Sequence, residues 1–444
     1  MGIGTLGQRQ KSLLTRKAAS IVRHFMKARG ANRILGICIG VMLIIALVPF
    51  AEADQTRYTN TIMHPDRETR LEWMTAFEMA PLARIDERLS LNMPLRGSLS
   101  LLNHLSYIPA ERDQGACGNC WAWAGTGIME ISLSVEENVF DRLSVQFISS
   151  CNRGKRCCEG GWTRDVASFY SLQGFAIPWP NTNAYWQDGD GTCDVPCTTI
   201  ATSPNYSIVS ITSEAILTHG VGQAQAIANI KNILNQNRAV FFGFFMGAPE
   251  DWNRFYSFWN TQSETALWNF DSSCNKPYTS SGGGHAVLCV GYNDDDPNNS
   301  YWIMVNSWGT TPERPNGIFR VDMDMDYDCY YTEGFQAFYS LYWQTLDITF
   351  DIAEEIVYVE PSASCGGHTP CYSTIQEAIN ICDAKATIKI AEGRYPEDVT
   401  LNSAKNITLE GGWDASFSMQ PSFTTVNSLT VNGGTITTEY LICQ

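Results

Sequence analysis

The sequence predicts an α+β protein with two lobes, one helical and one built of barrel-like β-strands, followed by a short all-β module. Three observations support this. Helix-patterned segments, Cys120 to Glu136 and Ala224 to Gln236, precede a series of strand-like runs: Ala239 to Met246, His285 to Tyr292, Tyr301 to Asn306 and Gly317 to Val321. The pattern changes again after Gln344, where short β-branched runs recur about every twenty residues. At 444 residues the chain is too long for one ordinary core, which suggests two or three domains.

Composition agrees with a globular chain, at 44% hydrophobic and 17% charged residues. The net charge of -16 is unevenly spread, because the first 53 residues carry eight Lys and Arg against the single acid Glu52. The remaining chain has a net charge of -23, which repels nucleic acid and anionic lipid and argues against both as partners.

Residues 1–53 read as a signal peptide. Arg9 to Arg33 supply the basic region, Ile34 to Phe50 the uncharged run, and Ala51-Glu52-Ala53 the small residues before a cut at Asp54. The leader is long, and Met26 would open one of ordinary size. An uncleaved anchor is the alternative, since 17 apolar residues could just span a bilayer. After cleavage no membrane association is expected, and the product is secreted, periplasmic or at the cell surface. Fifteen cysteines fit such an oxidising destination. Residues 54–93, with helix-like spacing at Leu71, Met74, Phe77 and Met79, read as a pro-segment or an ordered N-terminal arm.

The chemistry lies in residues 94–344. Asp113-Gln114-Gly115-Ala116-Cys117-Gly118-Asn119-Cys120-Trp121 contains a Cys-x-x-Cys pair, which alone fits a redox dithiol, half a zinc site or a nucleophile. No strand precedes it as a redox unit requires, and Cys157-Cys158 lacks zinc spacing. Cys120 opens an apolar helix, where the helix dipole favours thiolate. A thiolate attacking an amide needs a proton donor for the leaving amine. Among six histidines, His285 alone follows a glycine run, Gly282-Gly283-Gly284, and begins an apolar strand. Asn306, at the end of the strand from Tyr301, can orient an imidazole as an aspartate does in serine triads.

Taken together, Gln114, Cys117-Gly118-x-Cys120-Trp121, Gly160-Gly161, His285-Ala286-Val287, Asn306-Ser307-Trp308-Gly309 and Asn316-Gly317 resemble the papain family of cysteine peptidases, in the family's order. The resemblance implies the papain-like two-lobed fold and hydrolysis of protein or peptide substrates through an acyl-enzyme. Cys120 would be the thiolate and His285 its imidazolium partner. Asn306 would orient His285, and Gln114 would stabilise the oxyanion with the Cys120 backbone N–H. It further implies substrate binding by Gly160 and Gly161 through backbone pairing, by Trp162 and Ala286 in the pocket for the second residue before the cut, and Trp308 as a shield for the histidine. No cofactor and no metal are implied. The family's bridges would be Cys117–Cys158, Cys151–Cys193 and Cys274–Cys329, with Cys157–Cys197 as a fourth.

The chain departs from the family pattern at Asn119, where Ser or Ala is usual, and at Gly284, where Asp or Asn is common. Its leading segment also lacks the long helical inhibitor pattern. An idle binding scaffold is disfavoured because every catalytic position is filled. Acyl transfer would use the same nucleophile.

Residues 345–444 read as a β-helix-like module. Ile375, Ala378, Ile379 and Cys382 would form a capping helix, and Thr387 to Ala391, Asn406 to Glu410 and Leu429 to Val431 successive coils. The run from Tyr395 and the later Gly-Gly-Trp-Asp resemble right-handed parallel β-helix domains of exported bacterial proteins. Cys365–Cys371 and Cys382–Cys443 would staple the stack. As a function, surface or glycan docking stands beside simple stabilisation.

Overall fold

The structure, a computed structural model, describes residues 61–92, 96–106, 108–403 and 405–444. The expected signal peptide lies outside them. Among the described residues no helix is long and apolar enough to cross a membrane.

The N-terminal arm contains α1 (Arg67–Met79) and α2 (Glu87–Asn92). Asp66 caps α1 by accepting from the Thr69 N–H at 2.8 Å. The buried face is Arg70, Trp73, Met74 and Phe77. The expected stripe was misplaced by part of a turn, and Met79 is 80% exposed. Trp73 displaces it because a tryptophan buries more area than a methionine at the helix end.

In the helical lobe α3 (Cys120–Glu137) is followed by α4 (Val145–Cys151) and α5 (Thr163–Gln173). α3 is apolar on nearly every face, so it is buried all round. It ends at Asn138, whose φ of 54° is left-handed. Inside the lobe, Arg112 Nη1 donates to Glu130 Oε2 at 3.2 Å and the Leu143 N–H donates to Glu130 Oε1 at 2.9 Å. Glu130→Ala would strip the carboxylate from a buried guanidinium. We expect it to lower unfolding free energy by about 3–5 kcal/mol, read as a fall in the urea midpoint. An unchanged midpoint would show that the pair adds nothing.

The β-rich lobe is an antiparallel sheet of β1 (Tyr206–Ala215), β2 (Val240–Met246), β3 (Gly283–Asn293), β4 (Tyr301–Val305), β5 (Ile318–Asp322) and β6 (Leu341–Phe350). Their spatial order is β1-β6-β2-β3-β4-β5. β2 is buried along its whole length, so it shows no polar alternation. α3 packs on β3 and β6, while α6 (Gln223–Asn235) and α7 (Pro249–Thr261) flank the sheet. The boundary expected after Gln344 falls inside β6, which pairs with both β1 and β2. Strand pairing with β1 continues past it to Phe350.

Beyond it, parallel strands form two sheets around α8 (Ile375–Ile381). One sheet holds β7 (Glu355–Val359), β8 (Lys385–Ala391), β10 (Asn406–Trp413) and β12 (Thr435–Glu439). The other holds β9 (Gly393–Leu401), β11 (Thr424–Val431) and β13 (Leu441–Cys443). Leu429 to Val431, expected above Asn406 to Glu410, therefore belongs to the opposite sheet; β12 takes that place because the chain crosses between sheets at every turn. Val357, Ile379, Ile388, Leu401 and Leu409 form a core separate from that of the first domain. Lys385 Nζ meets Glu137 Oε2 at 2.9 Å, tying the module to the end of α3.

Among the described residues five disulfides are present: Cys117–Cys158, Cys151–Cys197, Cys157–Cys193, Cys274–Cys329 and Cys365–Cys371. The expected Cys151–Cys193 and Cys157–Cys197 pairs are not formed; their partners are exchanged. Cys158, at a φ of 67°, turns its thiol to Cys117 and leaves Cys157 facing Cys193. Cys382–Cys443 is also absent: Cys382 is buried under the Lys405 ammonium, whereas Cys443 is exposed on the last strand.

Candidate active site

Cys120 is the first residue of α3, and His285 lies near the start of β3. His285 Nε2 is 2.8 Å from Asn306 Oδ1, which also accepts the Ser307 backbone N–H at 2.9 Å. That N–H fixes the amide orientation, so Nε2 must carry the imidazole proton. His285 Nδ1 is buried without a hydrogen-bond partner among the described residues, leaving a basic lone pair. Trp308 stacks on the ring at 4.7 Å and keeps water from the Asn306 bond.

Gln114 is held from both ends. Its backbone N–H donates to Ser307 O at 2.8 Å, and Ser307 Oγ donates to its Oε1 at 2.6 Å. The side-chain NH₂ is thereby aimed at the start of α3, where it donates to Cys117 O at 2.7 Å and Thr61 O at 2.9 Å. Sequence reasoning assigned Ser307 no role; its place after Asn306 was the available signal. Gln114→Ala should lower kcat by roughly a hundredfold to a thousandfold. Ser307→Ala, which only loosens Gln114, should lower it about fivefold, the worth of an ordinary hydrogen bond. In both variants KM should stay nearly constant. A change confined to KM would assign both residues to binding.

The N-terminal arm fills the space in front of these groups. The Thr61 N–H donates to Gly115 O at 3.1 Å, and Met63 exchanges both backbone hydrogen bonds with Gly284 at 2.9 Å. Gly160, at a φ of 91°, faces the Met63 side chain and the Trp73 ring, which a Cβ there would meet at 3.2 Å. Gly161 lies against the Trp121 indole, which a Cβ would meet at 2.6 Å. Trp162 stacks on Trp73 at 5.3 Å and on Phe245 at 5.5 Å. Ala286 is buried beside His285 on β3. So of the four residues expected to bind substrate, Gly160 and Trp162 are covered by Met63 and Trp73 of the arm, while Gly161 faces Trp121 and Ala286 lies on β3.

This occupancy reverses the expected charge state. Burial pushes the Cys120 thiol up to about 12 and the His285 imidazole down to about 4, outweighing the helix dipole. Both groups are neutral here. The Cys117, Cys157 and Cys158 sulfurs lie within 4.8 Å of one another, but all three are in disulfides and offer no thiolate to a metal.

A thiol at a helix N-terminus, a histidine with one nitrogen held by an amide and the other free, and an amide donor beside them define a cysteine-nucleophile site. The chain belongs to the papain family of cysteine proteases, whose sequence model matches residues 102–242 and 257–337. It is 27% identical over 223 residues to the cathepsin B-like CP3 of Giardia intestinalis, covering 48% of this chain and 64% of that protein. It is also 27% identical over 204 residues to digestive cysteine proteinase 2 of Homarus americanus, covering 45% and 54%. The chain thus spans between half and two thirds of the length of these relatives. The structure of digestive procathepsin L2 proteinase from Tenebrio molitor larval midgut is 18% identical, covers 77% of this chain and 94% of that one, and has a TM-score of 0.43.

Proposed function

We propose that this protein is an exported cysteine peptidase, made as a zymogen, that hydrolyses protein or peptide substrates. The observation that carries the reading is the His285–Asn306 pair, with Nδ1 unpartnered among the described residues, together with a free thiol at a helix N-terminus that meets the backbone of Ala286, the neighbour of His285. Once the Thr61–His64 segment of the arm leaves, water and substrate reach the site, and the Cys120 proton passes to His285 Nδ1. The thiolate adds to the scissile carbonyl while Gln114 and the Cys120 N–H hold the oxyanion. The imidazolium then protonates the leaving amine, giving a thioester. Water, deprotonated by the same nitrogen, hydrolyses the thioester and restores the thiol.

Latency is supported by the direction of the arm. It runs from Gln114 at Thr61 toward Gly160 at Met63, opposite to a substrate whose residues before the cut lie along Gly160 and Gly161. Its carbonyls are therefore presented backwards to the thiol. Export is supported by the disulfides among the described residues. We read the C-terminal module as a right-handed parallel β-helix capped by α8, supported by strands that alternate between two parallel sheets, and assign it to docking on a surface or glycan.

The test is alkylation of activated protein with an epoxide or vinyl sulfone, followed by peptide mass spectrometry. Modification at Cys120 together with loss of hydrolysis is expected. Modification elsewhere, or none, refutes the assignment.

A further inference from the structure

We infer that α1 stays on the activated enzyme and confines it to the amino-terminal residue of its substrates, making it an aminopeptidase. The inference rests on the peptidase reading above and goes beyond it by naming the substrate class.

The arm is held very unequally along its length. Residues 61–64 are held by backbone bonds that a competing strand would equally satisfy, Thr61 to Gly115 and Met63 with Gly284, by His64 Nδ1, 3.1 Å from Gly282 O, and by the buried side chains of Ile62 and Met63, with no ion pair among the described residues. From Pro65 onward side chains take over. Buried Arg70 donates to Pro65 O at 2.8 Å and to both Glu333 oxygens at 2.9 and 3.0 Å, with its guanidinium 3.8 Å from the Tyr278 ring centroid. Trp73, 1% exposed, stacks on Trp162 and Phe245. Phe77 meets Tyr342 edge-on at 5.0 Å. Ala215 clasps the following chain, donating to Pro81 O at 2.9 Å and accepting from the Ala83 N–H at 2.8 Å. Cutting the chain near His64 frees the plug and leaves α1 nothing to gain by leaving.

A retained α1 changes what the cleft can accept. With Thr61 to His64 gone, space opens beside Gln114, Cys120 and Gly284 for one residue before the scissile bond. The next position, along Gly160 and Trp162, still holds the Trp73 ring. A longer substrate would have to pass through that indole, and an acyl block on the amino group would collide with it. A free amino group is provided for, because Gly284 O and Gly282 O, which now face Met63 and His64, would both lose their partners. A substrate ammonium satisfies both acceptors and an acylated nitrogen does not.

Two measurements on the wild-type chain test this without relying on a variant that must fold. The first is the N-terminal sequence of the active form, expected to begin between Pro65 and Arg67. The second compares unblocked aminoacyl-coumarin substrates with N-acylated dipeptidyl-coumarins, where kcat/KM should favour the unblocked class by roughly a hundredfold or more. Trp73→Ala should then narrow that ratio by opening the pocket to blocked dipeptides. An active form that begins beyond Phe77, or one that retains α1 and cuts both classes alike, overturns the inference while leaving the peptidase reading intact. A processed chain that cuts neither class and is not labelled at Cys120 refutes both.

Discussion

Cys120→Ala should abolish hydrolysis, with a loss in kcat on the order of 10⁵-fold or more, while the melting temperature barely moves. The two readouts separate because Cys120 is a free thiol that forms no disulfide, so alanine removes one sulfur atom and no covalent tie. His285→Ala should lose about as much, since the thiol has no other base: the imidazole supplies the free Nδ1 lone pair. The double variant should be no worse than the poorer single one, because both residues serve the same proton transfer and bond formation. Steady-state kinetics with a fluorogenic peptide, paired with thermal unfolding, checks all three. Residual activity in Cys120→Ala, or losses that multiply in the double variant, would mean that the chemistry runs elsewhere.

Acid should release the arm. Burial holds His285 at about 4 in the closed site, against an ordinary value near 6.5. A group with a depressed folded value stabilises the closed state fully above its open-state value and loses that stabilisation as pH falls toward the depressed one. The window is therefore pH 6.5 down to about 4, and closure weakens about tenfold per unit within it, or about a hundredfold between pH 6.5 and 4.5. Cys120 adds nothing to this measurement when it is made on the Cys120→Ala chain, which has no thiol to exchange a proton with His285. Hydrogen exchange at the Met63 and Gly284 amides reads closure directly, since these two N–H groups form the paired bonds. The Cys120→Ala chain is suited to it because it cannot process itself. After correction for intrinsic exchange, protection should fall across the window, and adding His285→Ala should flatten the profile. Protection that is already flat with His285 in place would dismiss the histidine as the acid sensor.

The candidate catalytic positions were legible because each carries a local mark of its own. Cys120 opens an apolar helix, His285 follows three glycines into an apolar strand, and Asn306 closes another strand. Each mark concerns backbone within a few residues. α3 and β3 formed within two residues of their expected limits for the same reason. Ser307 was harder to read, because its service to Gln114 crosses 193 positions of sequence and only the folded chain joins them.

The same distinction explains the corrections. Cysteine content pointed to an oxidised chain, but which of Cys151 and Cys157 meets Cys193 depends on the turn at Cys158, which no spacing rule encodes. The runs after Thr345 were legible as strands, but their assignment to two sheets depends on where the chain crosses. Gln344 looked like a boundary because composition changes there, and pairing with β2 does stop at that residue, yet β6 runs on to Phe350 because β1 continues to pair with it.

By itself, then, the sequence singled out Cys120, His285 and Asn306 as the candidate nucleophile, base and orienting amide, and the order of elements that carry them, because helix, strand and turn preferences act over short range. Tertiary structure alone decided that Met63 and Trp73 pack against Gly160 and Trp162 and that burial opposes charge on both Cys120 and His285. Those facts arise from burial, and burial is set by residues distant in the chain: Trp73 lies 47 positions before Cys120 and 89 before its stacking partner Trp162.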